Sequence, residues 1–97
     1  MSCIKMRRIN LTGVETKQAV VMPSKCVKVM VKNMTDGDIY AGIGGVDDVT
    51  VDNSVLVKSN CYQVVFINEN PDCCRLFDTL TITGSGSGSV ECIQVLY

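Results

Sequence analysis

Between residues 26 and 43 the chain alternates with a period of two, and no other feature constrains its fold as strongly. Val27, Val29 and Val31 share one face and Lys28 and Lys32 the other; Thr35, Asp36, Gly37 and Asp38 interrupt, and Ile39, Ala41 and Ile43 resume the pattern. A strand with one face in a core and one in water needs this spacing, because successive side chains point to opposite sides. An Asp-Gly pair between two alternating runs predicts an antiparallel hairpin, with Gly37 taking the positive φ that the strand twist demands.

The same reading predicts strands over residues 5–11, 16–22, 25–33, 39–43, 48–51, 55–58, 61–68, 79–83 and 89–97, punctuated by Thr12-Gly13, Pro23-Ser24, Gly44-Gly45 and Asp52-Asn53. Helical periodicity is absent throughout. With 97 residues, enough for one core and too few for two, the expectation is a single all-β domain over residues 1–97. Its class is an antiparallel β-sandwich of jelly-roll or immunoglobulin-like type with about seven to nine short strands. Residues 1–12 are either the first strand or an extended basic N-terminal segment.

At 46% hydrophobic and 20% charged residues, the chain has the composition of an ordinary globular domain. No apolar run reaches the roughly eighteen residues of a membrane-spanning helix. The first residues, Met1-Ser2-Cys3-Ile4-Lys5-Met6-Arg7-Arg8, lack the apolar core of a secretory signal, so assembly in a cytoplasm is expected. On that compartment argument the six cysteines, Cys3, Cys26, Cys61, Cys73, Cys74 and Cys92, read as reduced thiols packed in strands; native disulfides are the alternative. Zinc is the weakest option, because the chain has no histidine and no C-x-x-C. The polar setting of Cys73-Cys74 points to one or both of these thiols being exposed and oxidisable.

Charge is split along the chain. Through Lys32 it carries seven basic residues against Glu15; from Asn33 onward it carries nine acids against Lys58 and Arg75, for a net charge of −1. Two readings stay open: neutralisation between neighbouring strands, or docking of the basic segment on an acidic surface of another copy or another protein. The 61–68 and 89–97 strands add a further hint, being apolar on both faces. Such a sheet needs either a segment of chain folded over it or a subunit interface, and with so little chain to spare the expectation is a homo-oligomer.

Catalytic and cofactor chemistry finds little support. Without histidine there is no Ser-His or Cys-His pair. Asp36/Asp38 and Asp47-Asp48 lack the spacing of a calcium loop and read as solvated turn acids. Gly84-Ser85-Gly86-Ser87-Gly88-Ser89 precedes a strand, not a helix, so it reads as a mobile hairpin connection and not a phosphate cradle. Nucleic-acid binding is not expected either, since none of Tyr40, Tyr62, Phe66, Phe77 and Tyr97 lies in the basic segment. No enzyme activity, cofactor, metal site or membrane partner is expected.

The runs Val27-Lys28-Val29-Met30-Val31-Lys32-Asn33-Met34-Thr35-Asp36-Gly37-Asp38-Ile39-Tyr40-Ala41-Gly42-Ile43, Ser54-Val55-Leu56-Val57 and Tyr62-Gln63-Val64-Val65-Phe66-Ile67-Asn68-Glu69 resemble small β-proteins encoded among the head genes of tailed bacteriophages. Thr79-Leu80-Thr81-Ile82-Thr83-Gly84-Ser85-Gly86 with Val90-Glu91-Cys92-Ile93-Gln94 is similar to the closing hairpin of those proteins. The likeness covers most of residues 25–97. It implies a non-enzymatic virion structural protein, an auxiliary or decoration protein that binds the major capsid protein on the capsid exterior and stabilises the shell. On that reading Lys5, Arg7 and Arg8 meet an acidic capsid face, and Ile93, Val95 and Tyr97 mediate self-association. A neck or tail component of the virion and a carbohydrate-binding module are the alternatives. The latter is weakened by the absence of tryptophan and the presence of only three tyrosines.

Overall fold

The computed structural model describes residues 3–26, 28–67 and 77–96. Among them are eight strands: β1 (Cys3–Thr12), β2 (Thr16–Cys26), β3 (Lys28–Thr35), β4 (Ile39–Ile43), β5 (Val55–Val57), β6 (Tyr62–Ile67), β7 (Phe77–Gly84) and β8 (Ser87–Leu96). They pair from the outside inwards: β1 with β8, β2 with β7, β3 with β6 and β4 with β5, all antiparallel. Two further ladders, β3 with β8 and β4 with β7, join these pairs into a front sheet of order β1-β8-β3-β6 and a back sheet of order β2-β7-β4-β5. A ribbon of nested pairs wrapped into two facing four-stranded sheets is the jelly roll, so of the two expected sandwich types this is the one formed.

Alternation explains the core. On β3, Val29 and Val31 are fully buried while Lys32 is exposed, and on β4 Ile39 and Ala41 are fully buried. Leu11, Val20, Met22, Val57, Leu80, Ile82, Val90 and Cys92 complete the apolar layer between the sheets. Each valine or isoleucine so buried contributes about 1.5–3 kcal/mol relative to exposure. Val27, expected on the same face, lies outside the described residues, as do residues 68–76 and Tyr97.

Three expectations are corrected. First, β3 and β4 are not a hairpin: they lie in different sheets, and residues 36–38 carry the chain across the sandwich. Gly37 does not have positive φ. Its hydrogen side chain matters for another reason, since a Cβ there would stand 3.3 Å from the Cα of Gly86 in the neighbouring crossover. Side chains stitch this corner. Asn33 Nδ2 donates to the Gly37 carbonyl at 2.8 Å and to the Val57 carbonyl at 3.0 Å, while its Oδ1 accepts from the Thr35 amide and hydroxyl at 2.9 and 2.6 Å.

Second, the Gly-Ser stretch is no hairpin either. β7 runs to Gly84 in the back sheet and β8 starts at Ser87 in the front sheet. The link is held on both sides: Gly13 donates to the Gly86 carbonyl, and Asp36 and Ser87 exchange two bonds through the Asp36 amide and carboxylate. A Cβ on Gly86 would lie 2.7 Å from Thr35 Oγ1 and 2.8 Å from the Gly37 nitrogen, so glycine is required by packing rather than by mobility. Third, residues 48–51 form no strand. A turn closed by Asp48 and Val49 amides on the Gly45 carbonyl leads into a single 3₁₀ turn, Val51–Asn53, with Asn53 Oδ1 accepting from the Thr50 amide at 2.7 Å.

Candidate assembly surface

The two outer faces of the sandwich differ. On the back sheet, residues 44–54 fold down over the strands: Val49 is buried against Gly42, and Thr81 Oγ1 donates to the Gly44 carbonyl at 2.9 Å. A Cβ on Gly42 would approach Val49 Cγ1 to 2.5 Å, so glycine at that position is what lets the loop seat. On the front sheet, no described residue plays this part.

Register decides what the front face presents. Met6 stands opposite Ile93, Ile93 opposite Met30, and Met30 opposite Val64, so one apolar row crosses all four strands. Met6 and Val64 are exposed and Met30 and Ile93 half-buried. The next row is Arg8, Glu91, Lys32 and Tyr62. Tyr62, 65% exposed at the β6 edge, forms with Met30, Lys32 and Ile93 a shallow depression of about 470 Å³. Val65 interrupts the ladder as a bulge, because Val29 pairs with Phe66 while Met30 pairs with Val64. Val65 thereby packs against the core while Val64 stays outside.

The residues expected to contact a capsid do not share one patch. Arg8 is on the front face, where its Nη2 pairs with Glu91 Oε2 at 2.7 Å, so the cross-strand neutralisation weighed from the charge pattern occurs at this point. Arg7 alternates to the other side of β1 and its Nε donates to the Val21 carbonyl at 3.3 Å in the opposing sheet. Lys5 stands in register with Gln94, and its side chain is outside the described residues. Of the expected self-association residues, Ile93 lies at the centre of the apolar row. Val95 sits in register with Ile4 and Lys28, its side chain also outside the described residues, and Tyr97 is outside them altogether.

Met6, Met30, Tyr62 and Val64 were missed as members of this surface. Alternation marked the last two as one face of their strand, but only register gathers all four. Electrostatically the front face carries Arg8, Lys28 and Lys32 against Glu91, whereas the loop over the back sheet carries Asp47, Asp48 and Asp52, all exposed. Among the cysteines, Cys92 is buried in the core and Cys61 is exposed at the start of β6, its carbonyl accepting from the Asn33 amide at 2.9 Å. Among the described residues no three cysteine or acidic side chains converge as a metal site.

No protein-family model matches the chain, and no curated protein matches its sequence. A solved structure does share the fold: a Bacillus endospore appendage, described as belonging to a novel family of disulfide-linked pili. It matches with a TM-score of 0.53 over 97% of this chain and 84% of that one, at 16% identity.

Proposed function

We propose that this protein is a structural subunit that works by assembling with copies of itself into a pilus-like filament, strengthened by disulfides between neighbouring chains. The observation that carries this reading is the apolar row Met6-Ile93-Met30-Val64, which spans an entire sheet and has no cover among the described residues. An uncovered apolar sheet face is costly in an isolated subunit and useful in an assembly. Two further observations agree with it: the jelly roll is shared with a disulfide-linked pilus subunit, and the chain carries six cysteines, of which Cys61 is exposed. Concentrated under mild oxidation, the protein is expected to form a ladder of species on a non-reducing gel that collapses on adding reductant, and filaments by electron microscopy. A chain that stays monomeric under oxidising and reducing conditions removes this reading.

A second reading is the auxiliary virion protein bound to an acidic capsid exterior, or a neck or tail component. It is favoured by the excess of positive charge among the described residues of the front face, where Arg8, Lys28 and Lys32 stand against Glu91. In that role the protein acts by mass action, binding the assembled shell and bridging its units. Co-sedimentation with empty capsids at a ratio set by the shell lattice distinguishes it from the filament.

A further inference from the structure

We infer that copies of this chain dock head to tail, with the loop over the back sheet of one copy seated in the front-face depression of the next. The inference rests on the self-assembly reading above and names its contact. Its starting point is that the two surfaces match in both polarity and charge. The depression is lined by Met30, Ile93, Tyr62 and Lys32, with Lys28 and the Arg8–Glu91 pair beside it on the same face, so Lys32 and Lys28 are its unneutralised charges among the described residues. The loop presents Val46 and Val51 to solvent, at 38% and 60% exposure, each next in sequence to an exposed acid, Asp47 or Asp52, with Asp48 also exposed.

The loop is firmly held on the sheet. Val49 pins it to Gly42 from beneath, and Asn53 closes it through bonds to the Thr50 amide and the Asp48 carbonyl. Little ordering entropy is therefore left to lose on docking. Front-to-front pairing of two copies is disfavoured by charge, because each face would bring Lys28 and Lys32 against those of the other while Arg8 is already paired with Glu91. Depression and loop lie on opposite sides of the sandwich, so the contact is heterologous. A contact of that kind propagates into a ring or an open filament instead of stopping at a dimer.

The test uses the full chain and two variants whose changes lie on exposed residues: Lys32→Glu in the depression, and Asp47→Lys with Asp48→Lys in the loop. Tyr62→Asp is a second depression variant in case the Lys32 change disturbs folding, and circular dichroism checks each fold. Assembly is read by sedimentation velocity at low salt, in reductant so that disulfides do not contribute. The reduced wild type is expected to assemble, and to assemble less as salt rises. Each variant alone should associate on the order of tenfold more weakly or worse. A 1:1 mixture should recover association, because the intact loop of one variant meets the intact depression of the other.

If the depression variants block assembly and the loop variant does not, the loop is not the occupant and the inference falls. If wild type assembles and neither variant matters, the inference falls and the self-assembly reading stands. Reduced wild type that stays monomeric also overturns the docking; if it remains monomeric when oxidised, the assembly reading falls with it.

Discussion

The outer faces of the two sheets solve the same problem differently. Both sheets turn their inner faces to one core, and both carry apolar residues outside it. On the back sheet Val49 closes over Gly42 and a loop of the same chain acts as cover. On the front sheet the row from Met6 to Val64 stays at the surface among the described residues. Cover supplied by the chain itself stabilises the folded subunit. Cover supplied by another molecule appears only as association. Substitutions on the two faces should therefore separate into effects on unfolding and effects on assembly.

The largest effect is expected on the covered side. Gly42→Val places a side chain where Val49 already sits, and overpacking of this kind should destabilise the subunit by about 3 kcal/mol, measured as a lowered urea midpoint. An unchanged midpoint would mean that the loop moves away without cost and that the contrast between the faces is wrong. Asn33→Ala follows at about 2 kcal/mol, because it leaves the buried Val57 carbonyl without its side-chain donor and the Gly37 carbonyl with the Thr35 hydroxyl alone at the corner joining the sheets. Stability equal to wild type in this variant would show that solvent reaches the corner.

On the bare side the effects on unfolding shrink. Arg8→Ala removes the partner of Glu91; the arginine side chain is 55% exposed and the glutamate's 12%. Screening on the arginine side against the shielding of the carboxylate sets the loss at about 1 kcal/mol, and it should diminish in high salt. A loss of several kcal/mol would reveal a pair far better shielded than its exposure implies. Tyr62→Ala, at the exposed edge, should change the monomer's unfolding free energy by no more than about 0.5 kcal/mol while reducing association in the same preparation. Equal loss in both measurements would make Tyr62 part of the fold's own support and blur the comparison.

Much of the strand content was legible locally. The alternation of Val29, Val31, Ile39 and Ala41 against Lys28 and Lys32 announced two strands and their buried faces, because burial on one face of a pleated strand imposes period two on any sequence. Pairing partners were not legible in the same way. Asp36-Gly37 has the composition of a hairpin turn, yet β3 finds a longer partner in β8, and the turn residues serve a crossover in which Asn33 and Thr35 bond the corner. The Gly-Ser run misled for the same reason. Its glycines answer to close neighbours, Thr35 and Gly37, that are about fifty residues away along the chain.

The front face, the candidate assembly surface, shows the boundary most clearly. That residues 61–68 and 89–97 are apolar on both faces is written in the chain and was enough to suggest an interface. Arg8 and Glu91 are 83 residues apart, and nothing near either one names the other. By itself, then, the sequence determined that this protein is an all-β domain, which residues of its strands turn inward, and that it has more apolar strand surface than one core layer can use, because each follows from local spacing. Only the tertiary structure decided that the sandwich is a jelly roll, that residues 44–54 cover the back sheet, and that Met6, Ile93, Met30 and Val64 form one row. Those outcomes depend on the register between segments distant in the chain, which non-local hydrogen bonding and packing select.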